Sequence, residues 1–387
     1  MRVKDLRIRE ILATNAEKTI EVELETQKGV VRSSVPMGTS KGSYEAVSLP
    51  SEEVINKFFI IKRYFTSQEF YSLDEVDNAL KEIDKTENFR YIGANLALAI
   101  SSSFLKAFAL DEGKEVFEYL LRGKPNMPKP VCNVVGGWKG QCDIQEFLLL
   151  PIHQTSFKNS IEKISYCYKE IAKLLIEKDP KFNFSRNLES AWVTSLSIEK
   201  ILSLLKKVAE ENLLKIGLDV AATQIWDGNF YFYKNSGLKL NKIEQLSFIE
   251  DLARRYPIYY VEDPFHEDDF VSFSVLLHRL SEKLIVGDDL IVTNIKRFKK
   301  ALEQKSVNAI IVKPNQVGTI SDVIKIVDEA KKNKIFCVFS HRSGETEDTL
   351  ISHLAVGLGC EYVKFGIGGE RTVKINELIR IEEKIGR

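Results

Sequence analysis

In the second half of the chain, short β-rich runs (KIGLDVAA, IYYVEDP, LIVGDDL, AIIVKP, FCVFSH and YVKFG) alternate with segments whose apolar residues recur at helical spacing, such as NIKRFKKALEQK and TISDVIKIVDEAKKNK. This alternation predicts parallel strands with crossover helices, because a strand can pair in parallel with its predecessor only after a long return connection. Nearer the N-terminus the period is two. TIEVELET, residues 19–26, alternates apolar and charged positions, and Lys28-Gly29 separates it from VVRSSVP, which reads as an antiparallel hairpin with one wet face. From Ser51 to Gly123 the apolar spacing becomes helical, with Ser51 and Ser72 as expected N-caps. The stretch ANLALAISSSFLKAFAL, residues 94–110, reads as a buried helix and is shorter than a bilayer span. Strands followed by helices predict an α+β domain over residues 1–125. Pro125, Pro128 and Pro130 then break regular structure, and residues 126–387 form the expected α/β barrel domain.

The polar residues of the second half fall at telling places. Each β-rich run is apolar until its last positions and then presents one reactive group, in the order Asp219, Glu262, Asp288, Lys313, His341, Lys364. The intervals of 43, 26, 25, 28 and 23 residues are those of βα units, and a barrel gathers its chemistry from the C-terminal ends of different strands. One polar residue at one strand end is ordinary solvent exposure. Six in the same position predict convergence on one mouth.

Asp219, Glu262 and Asp288 repel one another at close range unless a cation neutralises them. Ligation by oxygen alone suits Mg2+ or Mn2+ better than zinc, the structural alternative being ion pairs with nearby lysines. Lys313 and Lys364 end runs of β-branched and aromatic residues, where a chance surface charge is uncommon. Two ammonium groups near a metal lower each other's pKa, so one of the pair is expected to act as general base while the other stays charged. Metal and lysine together permit removal of a proton from carbon beside a carboxylate. Arg342 and Ser343, directly after FCVFSH, form a compact phosphate clamp.

Charge and cysteine content narrow the function classes. Lys plus Arg equals Asp plus Glu at 55 each, so no basic field exists to bind nucleic acid or an anionic membrane. Five scattered cysteines without a CxxC pair argue against a disulfide framework or a zinc knuckle and for a reducing, cytoplasmic setting. The start, MRVKDLRIRE, lacks the apolar segment of an export signal.

The segments VEDPFHEDDF, VGDDLIVTN, IIVKPNQVGTISD, SHRSGETEDT and KINELIRIEEKIG resemble, in order and spacing, the sequence blocks of the enolase family. VPMGTSKGSYEA, YIGANLALAIS, NVVGG, IQEFLLLP and GLDVAAT extend the resemblance over nearly the whole chain. It implies an enolase-type (β/α)8 barrel capped by an α+β N-terminal domain. It also implies Mg2+-dependent dehydration of 2-phosphoglycerate to phosphoenolpyruvate, a hydro-lyase reaction of glycolysis, and a homodimer or higher homo-oligomer. By the same resemblance Asp219, Glu262 and Asp288 hold the tight Mg2+, Lys313 is the base and Lys364 binds the substrate carboxylate. Arg342 and Ser343 hold the phosphate, Ser40 helps complete a second Mg2+ site, Glu146 and Glu189 assist departure of hydroxide, and Gln145 and His341 line the pocket.

Some segments depart from the family pattern. NLESA stands where the family has GDEGG, so glycines that let the backbone bend beside Glu189 are gone. ATNAEKT replaces DSRGNPT, and the second loop carries Trp138 and Lys139 in place of the family's histidine. That altered loop also fits a related phosphorylated or carboxylated acid as substrate, or a barrel that holds a metal without catalysis.

Overall fold

The computed structural model describes residues 1–38, 42–137 and 142–386 of the chain. β1 (Asp5–Leu12), β2 (Lys18–Glu25) and β3 (Val30–Ser34) form an antiparallel sheet in the order β1-β2-β3. The period-two pattern of β2 sends Ile20, Val22 and Leu24 into the core, while Glu21 and Glu23 face Arg9, and Glu23 also meets Arg32.

Four helices follow: α1 (Ser51–Thr66), α2 (Leu73–Asp84), α3 (Ala94–Asp111) and α4 (Val116–Leu120). Ser72 caps α2 as expected, its hydroxyl accepting from the Glu75 N–H at 3.2 Å. Ser51 does not cap α1. Pro50 takes that position, and the Ser51 hydroxyl donates to Glu10 at 2.6 Å, because the strand below offers a carboxylate within reach. α3 is buried along almost its whole length, and Phe104 packs against Phe65 and Phe70 with ring centroids 5.3 Å apart in each pair.

The remaining strands close into a barrel. β4 (Lys129–Gly136), β5 (Glu146–Pro151), β6 (Leu214–Asp219), β9 (Ile258–Glu262), β10 (Leu284–Gly287), β11 (Ala309–Val312), β12 (Phe336–Ser340) and β13 (Tyr362–Gly366) follow one another round the ring, and β13 returns to β4. β7 (Tyr231–Tyr233) and β8 (Leu238–Leu240) form a separate hairpin. The helices on the barrel are α5 (Phe157–Lys178), α6 (Ile198–Glu211), α7 (Lys242–Arg255), α8 (Phe270–Arg279), α9 (Ile295–Glu303), α10 (Ile320–Lys332), α11 (Leu350–Gly357) and α12 (Thr372–Ile385).

One strand departs from the parallel pattern. β5 runs antiparallel to both β4 and β6. Only residues 137–145 separate it from β4, too few for the crossover that a parallel return needs, so the chain turns back as a hairpin and α5 and α6 follow together. The barrel floor is filled by Val131, Leu148, Leu150, Tyr260, Val286, Ile311 and Val338, and each buried aliphatic side chain stabilises the ring by roughly 1.5–3 kcal/mol. Among the described residues no helix is long and apolar enough to cross a membrane.

Candidate active site

Six strands bring their polar ends to one mouth. Asp219 closes β6 and Glu262 closes β9, while Asp288, Lys313 and His341 directly follow β10, β11 and β12. Lys364 lies within β13, paired in register with Ser340. The reversal of β5 has a chemical consequence: its first residue, not its last, reaches the mouth. Glu146 therefore stands beside Asp219, and Asp219 beside Glu262, as neighbours across three adjacent strands.

The Lys364 ammonium is buried among these acids. It lies 2.7 Å from Asp219 and 2.9 Å from both Glu146 and Glu262. Lys313 pairs with Asp288, whose other oxygen accepts from Gln316 at 3.2 Å. Burial, Arg342 and Lys364 all press the Lys313 pKa down, yet Asp288 outweighs them and the net shift is upward. Lys364 is raised well above its ordinary value too, burial being overcome by Asp219, Glu146 and Glu262. Each lysine thus faces carboxylates more closely than it faces the other lysine.

Negative charge at the mouth exceeds what the lysines neutralise. Burial and the neighbouring Asp219 push Glu262 up to about 8, and burial with Asp288 pushes Asp289 up to about 7. Ligand oxygens of Asp263, Asp288 and Asp289 lie within 4.8 Å of one another, with Asp263 also accepting the Asp288 N–H at 3.0 Å. A hard divalent cation fits such an all-oxygen set and relieves its repulsion; Asp288 is its one member from the expected trio, while Asp219 and Glu262 meet at Lys364.

Glu146, Glu189 and His341 form a second group within 4.8 Å. Burial and the adjacent Glu189 raise the Glu146 pKa well above the carboxylate range. Glu189 is also buried, but the hydrogen bond with Glu146 and the charges of Lys364 and Arg371 hold its pKa low. His341 is pushed down to about 3 by burial and is neutral. Asn133 donates to Glu189 at 3.1 Å.

The bend beside Glu189 survives without glycine. Ser190 takes a left-handed φ of 63°, and the Asn187 side chain accepts the N–H groups of Glu189 and Ala191, each at 3.0 Å. The Asn187 amide oxygen thus anchors the backbone where the family sequence has glycines.

Arg342 and Ser343 line the same cleft. The Arg342 guanidinium meets Glu45 at 3.1 Å, and buried Arg371 donates to the carbonyl oxygens of Arg342 and Ser343. Gln145 donates to Asp219 at 3.4 Å. Ser40, Trp138 and Lys139 lie outside the described residues. Sequence reading missed Glu45, Asp263, Asp289 and Asn187. The paired acids in VEDP and VGDD signalled two of them; Glu45 and Asn187 left no local mark.

The sequence models of the family described as "Enolase, N-terminal domain" and "Enolase, C-terminal TIM barrel domain" match residues 3–120 and 124–387. The chain belongs to the enolase family. Among its relatives, the enolase of Methanothermobacter thermautotrophicus is 36% identical, with 99% of this chain and 97% of that protein covered. That of Pyrobaculum aerophilum is 35% identical over 100% and 98%, and that of Natronomonas pharaonis 37% identical over 98% of each. Enolase-family membership over the full length makes the chain a hydro-lyase of the phosphopyruvate hydratase type.

Proposed function

We propose that this enolase-family chain dehydrates 2-phosphoglycerate to phosphoenolpyruvate with Lys313 as base and the Glu146–Glu189 pair as acid. The observation that carries this reading is that Lys313 and the paired carboxyl groups of Glu146 and Glu189 line one cleft with Arg342 and Ser343. Arg342 and Ser343 hold the phosphate, with Arg342 exchanging Glu45 for it. Lys364 turns its ammonium to the substrate carboxylate. Asp219, Glu262 and Asp288 would hold Mg2+, which supplies positive charge against the negative charge that develops on the carboxylate oxygens. Lys313 removes the C2 proton, and Arg342 and Lys364 favour its neutral form against the pull of Asp288. A proton from the Glu146–Glu189 pair passes to the C3 hydroxyl, which departs as water. Gln145 and neutral His341 bound the pocket. The family resemblance supports a role for Ser40 at a second Mg2+ and a homodimer, and the unpaired cysteines support a cytoplasmic setting.

The test is the rise in phosphoenolpyruvate absorbance with Mg2+, comparing the native chain with Lys313→Ala. Activity is expected to fall at least about a thousandfold in the variant. Native activity no greater than that of the variant would falsify the reading.

A further inference from the structure

Tyr260 precedes Glu262 by two residues on β9, so both side chains face the barrel interior. The Tyr260 ring belongs to the apolar floor with Leu148, Val286 and Val338, where phenylalanine would fill the same space. Its hydroxyl donates to Glu262 Oε2 at 2.6 Å, and both residues are fully buried. Gly217, its partner on β6, makes room for the ring: a Cβ there would lie 3.2 Å from Tyr260 Cδ1 and 3.0 Å from Leu148 Cβ.

We infer that Tyr260 is a positioning residue, its hydroxyl fixing the Glu262 carboxylate from below so that the acid is held ready for a divalent cation. This rests on the reading of Glu262 as a cation ligand. Tyr260 does not line the cleft and touches no reacting atom. Lys364 also reaches Glu262, at 2.9 Å to each oxygen, but its ammonium is shared with Asp219 and Glu146. The Tyr260 hydroxyl has Glu262 alone, which makes it the dedicated anchor of that carboxylate among the described contacts.

The test is titration of the full chain with Mn2+, free ion being read by electron paramagnetic resonance, for native protein, Tyr260→Phe and Gly217→Ala. Tyr260→Phe is expected to weaken Mn2+ binding about tenfold, as loss of a group behind a metal ligand typically does, and to raise the Mn2+ concentration for half-maximal activity in parallel. Activity at saturating Mn2+ should stay within about threefold of native, because the reacting groups are untouched. Gly217→Ala, which crowds the ring, should weaken binding in the same direction and carries the test should Tyr260→Phe fail to fold. Unchanged Mn2+ affinity in the folded variant, whatever its thermal stability, overturns the inference. Absence of Mn2+ binding by the native chain overturns instead the assignment of Glu262 as a ligand.

Discussion

Asp179, which directly follows α5, closes the base of the loop that carries Glu189, and its removal has a calculable effect. Its carboxylate accepts from the Ser195 hydroxyl at 2.6 Å, the Ser195 N–H at 2.7 Å, the Thr194 hydroxyl at 2.6 Å and the Lys181 N–H at 3.0 Å. Burial raises its pKa, but these donors outweigh burial and hold it at about 2. Against an unfolded value of about 4, the gap corresponds to about 2.5 kcal/mol of stability at neutral pH. The folded carboxyl is the more acidic, so this stabilisation is complete above the unfolded pKa and is lost as pH falls through 4 towards 2, with about half left at pH 3. Asp179→Asn replaces one acceptor oxygen with a donor facing donors. Urea unfolding followed by circular dichroism should show the variant about 2 kcal/mol less stable at pH 7, and the difference should shrink to about 1 kcal/mol at pH 3. Turnover should fall as well, by about three- to tenfold, because the loop presenting Glu189 loses its clamp. Equal stability at pH 7, or a gap as wide at pH 3 as at pH 7, would refute the argument.

Two further outcomes follow from the site. Asp288→Asn should weaken Mn2+ binding by about tenfold or more and abolish turnover while leaving the circular dichroism spectrum unchanged; normal turnover would show that Asp288 is not a ligand. Ser190→Gly should relieve the left-handed strain at φ 63° and raise stability by about 0.5–1 kcal/mol with activity retained, and calorimetry showing a loss instead would mean the serine conformation is not strained.

Much of the architecture was legible along the chain. Helical spacing located α3, period-two alternation located β2, and the apolar runs ending in Asp219, Glu262, Asp288 and Lys313 placed those residues at or beside the ends of barrel strands, while Lys364 falls in the middle of β13. These features are local, since the side chains that a strand or helix buries are set by its own periodicity. The reversal of β5 was partly written in the short 137–145 connection, yet parallel alternation elsewhere masked it.

Which side chains touch was decided only when the ring closed. Lys364 meets Asp219 from 145 positions away, and Arg342 meets Glu45 across 297. Those contacts set the direction of each pKa shift at the mouth, because electrostatics falls off with distance in space and is indifferent to distance in sequence. The same holds for Asn187 anchoring a bend that lacks glycine, and for Tyr260 reaching Glu262 in the space left by Gly217. Residue identity and spacing determined the kind of protein and the reactive groups it presents; tertiary packing determined the charge state and orientation in which each group is held.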